Sequence, residues 1–454
     1  MANRKIEDIS SMDDVLGFIL SGGFGTRLYP LTRDRAKSSV PIAANLRIID
    51  FVLTNFVRSG IKKIYVTIYY KSDSLSEHIS SKWNFLPRTL GEFIKLLPPQ
   101  KRTEHETYGG SANAIYQNKH LLEKSDARLV AVFSADQVYY MDIRQLAFYH
   151  RKKNADATIC ALPMKVDEAP REPNGSLSYG VIIADKNNRI IGFEEKPKKP
   201  KEIPGKKGYF WAAMGNYMFN KQILYDAIIE DNLDPKSIND FGTNIMPRLV
   251  RQKKKIYMYD FSKNKIPNML DHQKGFWKDI GQIDDYYDAN MMLLNNNPKI
   301  DLYDSWAIMQ PPAKTLHYEA HLNHPGEFTD DHYTRTGYAL NSLVALGTII
   351  SGARILKCVI GSNARIHSYS SITDSIIFDN VEIGMHCKIK NTIIDKYVIV
   401  PDNTIIGHNK KDDIKRGFFI SKKGITVIPK GYRFEDKNIK SNRKDKRIKI
   451  IKKK

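Results

Sequence analysis

IGSNARIHSYSSITDSIIF, residues 360–378, carries a large apolar side chain at every sixth position: Ile360, Ile366, Ile372 and Phe378. After a shift of three the spacing resumes at Val381, Cys387, Ile393, Ile399 and Ile405. A helix repeats its buried face about every 3.6 residues and a half-buried strand about every second residue. A period of six with small and polar residues between is the pattern of a parallel β-helix. Its triangular coils bury the repeat residues along the axis and need their neighbours to do so. The repeat predicts such a domain over residues 326–430. Cys387, at a repeat position, reads as a small core residue and not as a nucleophile.

Upstream, residues 296–325 (NNPKIDLYDSWAIMQPPAKTLHYEAHLNHP) are rich in proline and polar side chains and read as a linker. Before it, apolar runs at Val15–Leu20, Ile61–Ile68 and Leu129–Phe133 predict buried strands. Helical patterns at Ile48–Ser59, Leu75–Ile79 and Ala112–Leu122 separate them. Strand alternating with helix implies a doubly wound α/β domain over 15–295, with ligands at the carboxyl ends of its strands. Residues 1–14 form an extension and 431–454 a basic tail expected to be disordered.

With 454 residues the chain exceeds one hydrophobic core. Its 42% apolar and 27% charged composition excludes collagen-like and wholly disordered classes. No apolar run is long enough to span a membrane, and MANRKIEDISSMDD has no apolar core of the kind a secretion signal carries. Three widely spaced cysteines, Cys160, Cys358 and Cys387, argue against a disulfide framework and fit the cytoplasm. The net charge of +21 suggests nucleic acid at first sight, but the tail alone contributes +8. The remainder suits an enzyme that handles polyphosphate, so nucleic acid is not the expected partner.

Gly22-Gly23-Phe24-Gly25-Thr26-Arg27-Leu28 follows the first strand directly. Glycines let backbone N–H groups approach phosphate oxygens. The spacing is neither GxGxxG, because Leu28 stands at the third glycine, nor a P-loop, because no GK[ST] follows. Alone the loop is no more than a tight turn; Arg27 and Lys37 beside it add two cations suited to a triphosphate.

The stretches FILSGGFGTRLYPLTRDRAKSSVP (18–41) and LRIIDFVLTNFVRSGIKKIYV (46–66) resemble the start of the ADP-glucose pyrophosphorylases, or glucose-1-phosphate adenylyltransferases. Further matches come in order: YGGSANAIYQ (108–117), SADQVY (134–139), Tyr179-Gly180-Val181, FEEKP (193–197), Asp240-Phe241-Gly242, WKDIG (277–281) and Pro311-Pro312-Ala313-Lys314. The resemblance implies a nucleotidyltransferase domain with a mixed, mostly parallel sheet, joined to a left-handed parallel β-helix. It implies transfer of the adenylyl group of ATP to glucose 1-phosphate, for glycogen or starch synthesis, with Mg²⁺ as cofactor and a tetrameric, allosterically regulated enzyme. It carries over catalytic roles to Arg27, Lys37, Asp136 and Asp279, the two aspartates also holding Mg²⁺. Gly22, Gly23, Gly25, Thr26, Tyr108, Gly110 and Ser111 would bind the nucleotide. Gly180, Glu195, Lys196 and Asp240 would bind glucose 1-phosphate. Arg35, Arg47, Lys396 and Arg416 are candidates for an anionic effector at the domain boundary.

Several positions depart from the family pattern. Phe24 replaces an arginine, Ala43-Ala44 two glycines, and Gly109 and Asn113 a cation and a carboxylate. Tyr69 stands for a glutamine, Ala213 for the serine of the sugar pocket and Asp34 for a lysine linked to fructose 1,6-bisphosphate. These changes raise a second reading, a weakly catalytic regulatory subunit in a heterotetramer. Further alternatives are another nucleotide-sugar pyrophosphorylase and a protein-interaction scaffold of the same two-domain layout. Retention of Arg27, Lys37, Asp136, Lys196 and Asp279 favours an active enzyme.

Overall fold

The computed structural model describes residues 11–22, 25–69, 71–99, 108–308 and 337–434, and the backbone of 314–315. The three apolar runs form β1 (Val15–Ser21), β2 (Lys63–Ile68) and β4 (Leu129–Ser134), with β3 (Phe93–Leu97) beside β2. β1 lies between β2 and β4, parallel to both, with Ile19 opposite Val66 and Phe133. A strand buried on both faces cannot alternate polar and apolar, which is why VLGFIL reads as a continuous run. β5 (Ala157–Lys165), β6 (Val181–Ala184), β7 (Ile190–Glu194), β8 (Tyr209–Asn220) and β9 (Ile256–Asp260) complete the sheet. Its order is β7-β6-β8-β4-β1-β2-β3, with β5 along β8 and β9 along β5. β8 runs antiparallel to β4, so the sheet is mixed.

Helices α1 (Ile48–Arg58) and α2 (Asp73–Lys82) fall where the periodicity places them. The expected helix 112–122 is instead two, α3 (Ser111–Tyr116) and α4 (Lys119–Glu123). The Asn118 amide between them donates to Ala114 O and to the Tyr108 hydroxyl, so a side chain competes with the helix ladder at that point.

In the β-helix, Ile355, Ile372, Ile389 and Ile406 are successive register partners. So are Ile366, Ile383 and Val400, and Ile360, Ile377 and Ile394. Each coil therefore has seventeen residues, two faces of six and one of five. Left-handed corners recur at the same interval, at Lys357, Asp374 and Asn391, and at Tyr369, His386 and Asn403. The short face moves the phase by one residue per coil, and a one-residue step turns a side chain to the opposite face. Ile399 and Ile405, expected inside, are accordingly 64% and 49% exposed, and Val400 and Ile406 fill the axis. Phe378 and Ile393 are buried, but on the outer side, against the α/β domain.

That outer side makes the domains one body. α7 (Ile283–Leu293; α5 is Ile143–Lys152 and α6 Lys221–Leu233) packs Tyr286, Ala289 and Leu293 into one apolar cluster with Val359, Ile376, Phe378 and Ile393. The Tyr287 hydroxyl donates to Asp374 O at 2.7 Å. The start of the expected linker belongs to the same core. Ile300, Leu302 and Trp306 are buried, and Arg58 donates to the carbonyls of Trp306 and Ala307. Residues Pro311 to Ala313, like 1–10 and 435–454, lie outside the described residues. The described beginning of the expected tail is packed, with Tyr432 and Phe434 against Phe418 at ring separations of 5.1 and 5.9 Å. Aromatic burial holds this segment despite its basic surroundings. Met12, in the expected N-terminal extension, is buried with the α/β core.

Candidate active site

The carboxyl ends of β1 and β4, the bulged middle of β8, and the loops before β6 and after β7 enclose a cleft of about 520 Å³. This is where a doubly wound sheet opens, because connections leave in opposite directions there. Its walls include Gly22, Tyr108, Gly110, Ser111, Asp136, Gly180, Glu195, Asp240 and Asp279, nine of the residues singled out from the sequence.

Asp136 follows β4, and Asp279 sits in a two-residue ribbon with Gln137 as its strand partner. Residues 143 apart in sequence thus meet at one ammonium: Lys37 Nζ lies 2.5 Å from Asp136 Oδ2 and 3.7 Å from Asp279 Oδ1. Burial works against the Lys37 charge, but the two carboxylates override it and hold the ammonium above its ordinary pKa. Burial alone would raise Asp136. Lys37 and the Ser134 hydroxyl, 2.7 Å away, offset it and hold the carboxyl below its usual range. Asp279 has the weaker share of the ammonium, and burial together with repulsion from Asp136 pushes it up to about 6. Two hard oxygen donors with more negative charge than Lys37 neutralises fit a divalent cation of the Mg²⁺ type. Ser134 opens the SADQVY motif but carried no expected role of its own.

Glu195 follows β7 and lies between two glycines. A Cβ on Gly242 would stand 2.4 Å from its Oε2, and one on Gly180 2.9 Å. Burial of the cleft wall and repulsion from Asp240, only partly relieved by Lys196, raise the Glu195 carboxyl to about 7. Lys196 itself occupies a left-handed turn before Pro197 and is exposed; the structure does not bring it into the cleft wall. The sequence motifs contain Gly242, but its contact with Glu195 is tertiary and was not legible there.

Ser111 and Asp240, expected to serve different substrates, are hydrogen bonded to each other. The hydroxyl donates to Oδ2 at 2.8 Å and accepts from Phe241 N at 3.0 Å. Asp240 also accepts from Thr243 N at 2.9 Å and so caps the turn of π-helix at Phe241–Ile245. Gly110 brings these loops into contact, because a Cβ there would lie 2.4 Å from the carbonyl oxygens of Ile238 and Asn239. The Tyr108 hydroxyl donates to Leu97 O and leaves its ring on the cleft.

Gly25 adopts φ 59°, and its carbonyl accepts from Thr32 Oγ1 at 2.8 Å, closing the turn that Thr26–Leu28 continues. Gly23 and Phe24 lie outside the described residues. Arg27 does not face the main cleft. It lines a second cavity of about 250 Å³ that shares Ser178, Tyr179 and Asp279 with the first, and it pairs with Glu172 at 2.7 Å. Of the other wall residues, Glu172 falls in no quoted motif, and Tyr179 and Trp277 stand in motifs but carried no expected role.

Three of the four basic boundary residues cluster between the domains. Arg35 forms a two-pronged pair with Asp395, and Lys396 pairs with Asp379 at 2.6 Å. Arg47 lies beside them, its buried Nε without a hydrogen-bond partner and its pKa lowered by burial and by Arg35, against the pull of Asp379. Burial and Arg47 likewise lower Lys396. Arg416 belongs elsewhere. It is held by Asp412 and Asp413 of its own short helix and lies over the Phe418 ring.

Among the described residues, no helix is long and apolar enough to cross a membrane. The nucleotidyl transferase family matches residues 16–296, and the GlmU-like C-terminal hexapeptide family matches 324–428. A glucose-1-phosphate adenylyltransferase of Anaeromyxobacter sp. is 42% identical over 93% of this chain and 100% of its own length. One from Thermus thermophilus is 43% identical over 93% and 99%, and one from Trichlorobacter lovleyi 39% over 92% and 97%. With the whole length of such relatives covered, and with a strand-end cleft that gathers their motif residues, the chain belongs to the glucose-1-phosphate adenylyltransferase family of nucleotidyltransferases.

Proposed function

We propose that the chain transfers the adenylyl group of ATP to glucose 1-phosphate, giving ADP-glucose and pyrophosphate. The observation that carries this reading is the pair Asp136 and Asp279, bridged by Lys37 behind them, on the walls of the same cleft as Glu195. A phosphate oxygen of the sugar attacks the α-phosphorus, and the bond to the pyrophosphate oxygen breaks. The protein has to hold two polyanions in line and neutralise charge. Asp136 and Asp279 would hold Mg²⁺, which when bound screens the phosphate charge. Lys37 faces the α-phosphate and Arg27, released from Glu172, the departing pyrophosphate. Glu195 accepts from the sugar hydroxyls. Gly22, Gly23, Gly25, Thr26, Tyr108, Gly110 and Ser111 form the nucleotide side, and Gly180, Asp240 and Lys196 the sugar side.

The same reading takes 15–295 as the catalytic domain and 326–430 as the regulatory and assembly domain. It takes the protein as a cytoplasmic homotetramer, or a heterotetramer with a paralogous subunit, in glycogen synthesis. An anionic effector would meet Arg47 and Lys396 at the domain boundary, Arg35 being committed to Asp395. The test is pyrophosphate release by the purified chain with Mg²⁺, across ATP, GTP, UTP and dTTP and a panel of sugar 1-phosphates. Turnover is expected to be fastest with ATP and glucose 1-phosphate. A faster rate with another pair, or no turnover, overturns the assignment.

A further inference from the structure

Four residues beyond Asp279 the chain enters α7, and the β-helix reaches back to its first turn. Asp284 is 6% exposed, accepts from the Ser421 hydroxyl, and accepts from Lys423 N at 3.3 Å. Ser421 Oγ in turn accepts from Ile425 N at 2.9 Å, which ties the contact to the hairpin of Phe419–Ile420 and Thr426–Ile428. Ile280 and Ile283, on either side of the turn after Asp279, share an apolar cluster with Ile425 and Val427 of that hairpin. The same contact borders the second cavity, whose walls include Phe419, Ser421, Lys422, Ile283 and Asp284 together with Arg27 and Asp279.

The backbone frame of Asp279 within its own domain is short. Its ribbon consists of two pairs, Lys278 with Val138 and Asp279 with Gln137. So short a ribbon does not fix its own geometry. The turn and helix start just beyond Asp279 are held from both domains: Ile280 N donates to Asp136 O at 3.3 Å and Ile280 and Ile283 share an apolar cluster with Ile42 and Val138, while Ile425, Val427 and Ser421 of the hairpin hold them from the other domain.

We propose that the terminal hairpin of the β-helix is a positioning element of the transfer site: Ser421, acting through Asp284, sets the place of Asp279 and with it the affinity for the divalent cation. This rests on the reading of Asp279 as a metal ligand. Ser421 and Asp284 act through Asp279 and are positioning residues. The full chain, wild type and Ser421→Ala, is titrated with Mn²⁺ in the presence of ATP and the absence of sugar phosphate, and free Mn²⁺ is read by electron paramagnetic resonance. Loss of a group bonded directly to a metal ligand typically weakens the metal about 10- to 100-fold, and Ser421 acts one contact further out, so the lower end of that range is the upper bound here. Weakening of up to about tenfold is expected for Ser421→Ala. Its turnover should recover at saturating metal, with KM for glucose 1-phosphate unchanged. Ser421→Thr keeps the hydroxyl and should restore the affinity. Asp284→Asn, read the same way, serves if Ser421→Ala does not fold. Unchanged Mn²⁺ affinity in the folded variants, or equal impairment of the Ala and Thr variants, overturns the proposal. Wild type that binds Mn²⁺ with ATP but releases no pyrophosphate refutes the transfer reaction and leaves the positioning readable. Wild type that binds no Mn²⁺ removes the ligand role and this proposal together.

Discussion

Arg35 reaches across the domain boundary to Asp395, Nη1 to Oδ2 at 2.9 Å and Nη2 to Oδ1 at 2.8 Å, with 4% and 1% of the side chains exposed. The guanidinium also lies over the Phe378 ring and donates to Leu31 O. Removing one partner of a buried pair leaves the other charge uncompensated. Arg35→Ala or Asp395→Ala is therefore expected to cost about 3–5 kcal/mol, read by denaturant unfolding. The double replacement Arg35→Met with Asp395→Leu should cost clearly less than either single change. Equal costs for all three would show that the pair carries no electrostatic share.

Lys37 bridges two carboxylates, so Lys37→Gln should cut turnover by about 10²–10³-fold, the usual loss for one positioned charge. Asp136→Asn and Asp279→Asn should fall in the same range. Circular dichroism is expected to remain native. Near-normal pyrophosphate release by Asp279→Asn would remove its role.

Crowding by the cleft wall and repulsion from Asp240 raise the Glu195 carboxyl to about 7, though the residue remains open to solvent. Its carboxylate form, the better hydrogen-bond acceptor for a sugar, is populated above that pH and lost below it. KM for glucose 1-phosphate is therefore expected to rise as pH falls from about 8 to about 7, while KM for ATP stays level until Asp279, raised to about 6, takes up protons. Glu195→Gln should raise KM and flatten the profile. A raised carboxylate favours folding when protonated, so this group's contribution to stability fades as pH rises through 7.

The Arg27 pair with Glu172 is half open to water, Arg27 being 51% exposed, and such pairs are worth at most about 1 kcal/mol. Glu172→Gln should free the guanidinium and lower KM for ATP by no more than about fivefold. Arg27→Ala should act in the opposite direction, and initial-rate kinetics at fixed glucose 1-phosphate separates the two.

Two glycines are expected to fail differently. A Cβ on Gly110 meets backbone carbonyls that cannot yield, so Gly110→Ala should lower the melting temperature and disturb both substrates. A Cβ on Gly242 meets the free end of Glu195, so Gly242→Ala should displace that carboxylate and raise KM for glucose 1-phosphate at little cost in stability. Differential scanning calorimetry with kinetics on both variants checks the contrast.

Sequence alone determined the fold class and pointed to nine of the residues that line the cleft. A continuous apolar run such as Val15–Leu20 is legible because a strand buried on both faces needs it, and a period near six because stacked coils share an axis. Asp136, Glu195 and Asp279 were legible through motif order. Tertiary structure decided what local spacing does not encode. The five-residue face, which turns Ile399 outward, emerges only from the register of one coil on the next. Lys37 meets two distant carboxylates, Arg27 turns to Glu172, and Lys196 stays at the surface, because a side chain's direction depends on what packs around its turn. The pairing of Arg35 with Asp395, 360 positions apart, comes from two separate domains burying one apolar face, which draws their charges together and closes them from water.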